Sequence, residues 1–252
     1  MAEQKEKGSA SIPWSDSELR TSIDAYLYML QLETAAVPFS VAEQERLLIS
    51  GPLSARNEVS VRYRLRNISH VMKERGEATL SAYSAAPQVG KNVKARIHGL
   101  LDERQSTLQA IRQMVGNRGA DTVELDEVLI GLHQLKEMIF SLASEANPVA
   151  GIGHNKPPEN IVIGVEDISE AVRAISRIES AVSDHAPDIG TVERSSNTLV
   201  ALGMKSALWA GQRLTDFSKA GAIAAGTSAG LSLTGLSGQI VEMLRKVFTY
   251  LF

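Results

Sequence analysis

Every sustained apolar pattern in this sequence repeats at intervals of three and four residues, and none alternates at period two over the length of a strand. A chain with only helical periodicity must bury helix faces against other helix faces, so the predicted class is all-α. Glycine and proline punctuate the pattern at Pro38, Gly51-Pro52, Gly90, Gly116 to Gly119, Asn147 to Glu159 and Pro187, the expected breaks between helices.

Between these breaks the elements can be read in order. Ser15 with Glu18 three residues on has the spacing of a capping box. Leu19, Ile23, Tyr26, Leu27 and Leu30 then form one apolar face. Ser40 is placed to cap a second helix carrying Val41, Leu47 and Leu48. A third helix, with Val61, Leu65, Ile68 and Met72 on its buried side, should stop at Gly76. Residues 78–90 are small and hold Pro87 and Gly90, and read as a linker. Val93, Ile97, Leu101, Leu108, Ile111 and Val115 form a stripe interrupted by Arg104. Leu125, Val128, Leu129, Leu132, Leu135, Ile139 and Leu142 form a return stripe, so residues 91–147 are expected to be an antiparallel hairpin acting as a spacer or oligomerisation element, with a further part of a globular core as the alternative. Val165, Ile168, Val172, Ile175, Ile178 and Val182 mark another helix, and a further one is expected from about Thr191 to Phe217.

Residues 1–13 are polar, mixed in charge and without a signal-peptide core. They read as a disordered leader on a cytoplasmic protein. The chain has no cysteine, which removes disulfides and thiolate metal sites and fits a reducing compartment. Its formal net charge is −3, so any basic surface has to be local.

That local surface is the third helix. Arg62, Arg64, Arg66, Asn67 and, further on, Lys73 and Arg75 lie off its apolar stripe, with Arg56 just before it. Guanidiniums offer planar forks of donors and a permanent charge, which suit phosphate oxygens. Arg56, Arg62, Arg64, Arg66, Asn67 and Lys73 are therefore the candidate nucleic-acid contacts. The competing reading is a solvated face whose cations pair with acids elsewhere.

The stretch from Leu53 to Met72 resembles the end of a small helical domain that precedes HNH endonuclease domains in bacterial restriction-type proteins. That pattern runs L-x-x-R-S-x-x-S-V-x-x-K-x-x-N-I-S-x-V-L. Leu53, Arg56, Ser60, Val61, Asn67, Ile68, Ser69 and Val71 match it, and Arg64 stands where it has lysine. Trp14-Ser15 with Glu18 resembles the opening of the domain, and Tyr83, Pro87 and Asn92 loosely resemble its close. The resemblance covers about the first third of the chain. It implies a DNA-contacting, helix-turn-helix-like module over residues 14–90, without nuclease chemistry. G-H-N-K-P-P-E, from Gly153 to Glu159, is similar to a motif found between modules of bacterial proteins and implies a junction over residues 148–164.

The region 165–252 is expected to be a helical effector or oligomerisation region. No charged residue lies between Lys219 and Glu242, a length sufficient to cross a bilayer. Gly226, Gly230, Thr234 and Gly238 are four apart, a spacing that lets helices approach closely. Leu236, Ile240, Leu244, Val247, Phe248 and Leu251 share one face of a terminal amphipathic helix. Gly226, Gly230 and these six residues are the candidate membrane or oligomer interface. A tightly packed soluble segment and a flexible linker are the alternatives.

No nucleotide-binding glycine loop, nucleophile elbow or metalloprotease motif is present. His154-Asn155 lacks the second histidine of an HNH centre, and His70, His98, His133 and His185 stand singly. No cofactor, metal or catalytic residue is expected. The expected function is non-enzymatic: nucleic-acid binding coupled to a self-associating, membrane-active C-terminus, located in the cytoplasm or at the inner membrane and suited to phage defence. The alternatives are a soluble oligomeric scaffold with a protein partner, and an accessory DNA-binding subunit of a restriction-type nuclease.

Overall fold

The computed structural model describes residues 13–116, 123–145, 163–220 and 228–252, with side chains placed for all of these except 142–145, 212–220 and 228–234. The described residues are all-α, as the periodicity predicts. The helices are α1 (Asp16–Thr34), α2 (Val41–Ser50), α3 (Glu58–Glu74), α4 (Lys91–Glu103), α5 (Gln105–Gly116), α6 (Leu125–Glu145), α7 (Val165–Val182), α8 (Ile189–Ala220) and α9 (Ser228–Leu251). Residues 1–12 of the leader, the G-H-N-K-P-P-E junction, Asn117 to Gly119 and Gly226 lie outside the described residues.

The helix ends follow from local chemistry. At α1 the Ser15 hydroxyl accepts from the Glu18 amide at 3.2 Å, and Glu18 Oε2 accepts from the Ser15 amide at 2.8 Å, closing the capping box. Ser40 accepts from the Glu43 amide at 3.3 Å and Asn57 from the Ser60 amide at 2.8 Å, opening α2 and α3. Such caps each contribute about 1 kcal/mol. Gly76, at φ +70°, ends α3. The Glu77 amide reaches back to the Met72 carbonyl at 2.9 Å, a geometry that a residue with a side chain rarely adopts.

The core is organised on α1. Thirteen of its 19 residues are buried, including Thr21, Ser22 and Asp24. The sequence suggests one apolar face, but the helix is covered all round. On one side α3, α4 and α5 pack against it, and on the other α8 and α9 do. The helices α6, α7, α8 and α9 close a ring in which each touches the next, and α2 bridges α3 and α8. The expected boundary at residue 90 therefore does not coincide with a gap in the packing.

Three features differ from the expectations. First, α4 and α5 lie on α1 while α6 packs on α7 and α9, so the two expected hairpin arms are engaged with different neighbours. The reason is Arg104. It sits between α4 and α5, buried, with Nε 2.5 Å from Asp24 Oδ1 and Nη2 donating to the Gly211 carbonyl at 3.1 Å. An interior guanidinium needs an interior carboxylate, and α1 supplies it.

Second, the expected linker is an ordered strap. Leu80 and Ala86 are buried. The Leu80 amide donates to the Tyr26 hydroxyl at 2.9 Å, Tyr83 donates to Glu45 at 2.7 Å, and the Ala86 amide donates to the Arg66 carbonyl at 3.1 Å.

Third, close helix approach occurs at Gly203 and Gly211 of α8. A Cβ at Gly203 would overlap the Tyr28 hydroxyl, and one at Gly211 would overlap the Asp24 carboxylate. At Gly238 a Cβ would meet nothing within 4 Å. So the one described glycine of that row whose surroundings are placed is not a contact point.

Candidate nucleic-acid interface

The α3 helix turns Val61, Leu65, Ile68 and Met72 inward, as its apolar period requires. Its outward face carries Val59, Tyr63, Arg66, His70 and Lys73, at i, i+4, i+7, i+11 and i+14. Val59 is 76% exposed and Tyr63 is 54% exposed. Together they add apolar and aromatic surface next to the cations of this face. Arg66 donates from Nε to the Ser84 carbonyl at 3.1 Å. Neither Arg66 nor Lys73 has a carboxylate within ion-pair distance among the described residues. His70 Nδ1 lies 2.7 Å from the Ala86 carbonyl, which fixes the imidazole along the strap.

The other expected contacts are used inside the molecule. Arg62 is held by Glu45 of α2 through Nε and Nη2, at 2.9 and 2.7 Å, and also pairs with Glu58. These carboxylates hold the guanidinium more firmly protonated than usual. Arg56 Nε lies 2.6 Å from Glu18, and its Nη2 donates to the Pro13 carbonyl at 2.8 Å. Asn67 is buried, with no partner for its Oδ1.

Arg64 is the exception among the guanidiniums. It is only 8% exposed, and neither its Nε nor its Nη1 has a hydrogen-bond partner. Its guanidinium lies 4.6 Å from the centre of the Trp14 ring, and that of Arg56 lies 4.8 Å from the same ring. Arg96 of α4 completes the cluster, bonded to Asp16 Oδ1 at 2.8 Å from Nε and to the Trp14 carbonyl at 2.9 Å from Nη2. Burial, and then the charges of Arg96 and Arg56, lower the Arg64 pKa from its ordinary value. Arg96 was not singled out by sequence reading. Its only signal is distant, since Asp16 lies 80 residues away on α1.

At the other end, Leu236, Ile240, Leu244 and Val247 are fully buried, Phe248 is 8% exposed, and Leu251 is half-buried against the same core. Their partners are α6, α8 and α1 of the same chain. The face expected to meet a membrane or a second copy thus already forms part of the interior, because the ring of four helices needs it there. Among the described residues no helix is long and apolar enough to cross a membrane. Gly230 lies in α9, and Gly226 lies outside the described residues.

No group of three histidines or carboxylates able to hold a metal occurs among the described residues. A groove of about 890 Å³ runs between α2, α7 and α8, but its lining mixes Glu43, Glu58, Asp167 and Glu170 with Arg46 and Lys205. Its two cations are both paired, Lys205 with Asp167 at 2.6 Å and Arg46 with Glu43 at 3.9 Å. No protein-family model, characterised protein or solved structure matches the chain.

Proposed function

We propose that this protein is a nucleic-acid-binding protein without chemistry of its own. It contacts the phosphate backbone of DNA with the outward face of α3. The observation that carries this reading is that Tyr63 and Val59 stand exposed on the same face as Arg66 and Lys73, two cations with no carboxylate partner among the described residues. Cations on such a face position the backbone, and an exposed aromatic ring adds a surface for a base or sugar. The contact is small. Arg56 and Arg62 are neutralised by Glu18 and Glu45, and Arg64 and Asn67 are buried, so of the six candidate contacts Arg66 and Lys73 are the two expected to meet phosphate.

The test is the salt dependence of binding to a labelled DNA duplex. Two phosphate contacts give a log–log slope of about −2. Arg66→Ala with Lys73→Ala should bring that slope close to zero and weaken binding evenly across sequences. If the double variant binds with the wild-type slope, this face is not the one that meets phosphate. If the wild type binds no duplex at 50 mM salt, the reading fails altogether.

A further inference from the structure

The strap of residues 78–90 narrows what the outward face of α3 can meet. Arg66 donates from Nε to the Ser84 carbonyl at 3.1 Å, and His70 Nδ1 lies 2.7 Å from the Ala86 carbonyl. The Ala86 amide donates in turn to the Arg66 carbonyl at 3.1 Å. Residues 84–86 therefore run along the line of Arg66 and His70, on the same face that carries the cations. The bonds from Tyr83 to Glu45 and from the Leu80 amide to Tyr26 hold the strap there.

An α-helix with its side chains is about 10–12 Å across, and the major groove of a DNA duplex is about 12 Å wide. A helix with a second chain segment laid along its outward face is too wide for that groove. Only Val59 and Tyr63, on the turns before Arg66, stand exposed beyond the strap's hydrogen bonds. That tip has no free cation to draw it into a groove, because Arg62 is paired with Glu45 and Glu58.

Tyr63 is differently placed. No hydrogen bond or ring contact engages it among the described residues. It lies three residues before Arg66, so the two side chains are neighbours on the helix surface. A free ring beside a phosphate contact suits an unstacked base whose own backbone is held next to it. A base inside a duplex is already stacked and paired, and reaches a surface ring only after being turned out at a cost.

We infer that the outward face of α3 takes an unpaired strand in preference to a duplex, with a base stacked on Tyr63 and the backbone passing Arg66 towards Lys73. This rests on the phosphate-contacting face proposed above, and adds the form of nucleic acid that the face selects. Asn67, the only side-chain amide of α3, is buried, and a ring stacks on any base. The face therefore selects strandedness and not sequence.

The test compares a labelled oligothymidylate with a duplex of the same length, both added to the full chain at the same salt concentration. The strand should bind more tightly. Tyr63→Ala should weaken strand binding by about 5–150-fold, the value of one stacked base, and change duplex binding by less than about twofold. The ring meets no phosphate, so the salt slope on the strand should stay as in wild type. Tyr63→Phe keeps the ring and should keep the preference. A duplex bound as tightly as the strand would overturn the inference and leave the phosphate reading in place. So would a Tyr63→Ala protein that binds the strand like wild type, or that loses both forms equally. Strand binding without duplex binding would uphold the inference and remove the duplex contact. Binding of neither form overturns both.

Discussion

Glu18 accepts two hydrogen bonds from Arg56, at 2.6 and 2.8 Å, while capping α1 through Ser15. The Arg56 guanidinium holds its carboxyl at about 2, well below the ordinary 4.5, with burial opposing and the Ser15 bonds assisting. A carboxyl whose pKa is lower in the folded state than in the unfolded one stabilises the fold only when ionised. Its contribution is therefore complete above about pH 4.5 and lost as pH falls towards about 2. Glu18→Gln should be less stable than wild type at neutral pH, and the difference in urea midpoint should shrink across that window. A difference that stays constant from pH 5 to pH 2 would show that the Arg56–Glu18 pair is not formed as described. The same residues show why the basic helix was only partly legible. A helical wheel displays neighbours three and four residues away. Glu18 and Glu45 arrive from α1 and α2, 38 and 17 residues from the arginines they neutralise.

Among the elements, α8 determines how closely the two ends of the chain pack. Tyr28 donates to the Val200 carbonyl at 3.1 Å in a fully buried site, and Gly203 leaves room for that hydroxyl. Gly211 leaves room for the Asp24–Arg104 pair. Gly203→Ala and Gly211→Ala should each lower stability by about 1–3 kcal/mol, the usual effect of overpacking. At Gly99 of α4 and Gly238 of α9 a Cβ would meet nothing, so alanine there should be neutral or stabilising by up to about 1 kcal/mol through helix propensity. Urea midpoints at an unchanged m-value separate the two pairs. If all four variants shift the same way, the helices do not meet at Gly203 and Gly211. Helix period, caps and breaks were readable for α1, α2, α3 and α7 because each rests on residues within four positions. The partners of α4, α5 and α6 were not, because Arg104 seeks Asp24 across 80 residues and no local pattern encodes that choice. The glycines of α9 drew attention by their spacing, whereas Gly203 and Gly211 matter through what faces them.

Across the whole molecule, α1 belongs equally to the helices before residue 116 and to those after residue 163. Its polar residues explain why this was not legible. Thr21, Ser22 and Asp24 look like a solvent face, yet Ser22 bonds back to the Glu18 carbonyl at 2.8 Å and Asp24 is neutralised by Arg104. A helix with such internal satisfaction can be covered on every side. The central claim is therefore that the N-terminal and C-terminal helices form one cooperative core. The chain's two tryptophans report on its two parts, Trp14 beside α3 and Trp209 in α8. The most direct measurement is urea unfolding followed by fluorescence in Trp209→Phe and in Trp14→Phe, each corrected for the stability change of its substitution by circular dichroism of the same sample. With one core, the fluorescence and dichroism transitions coincide in both variants, with a single midpoint and m-value. Separate transitions, with either tryptophan reporting an unfolding step that leaves the other's helices intact, would contradict it.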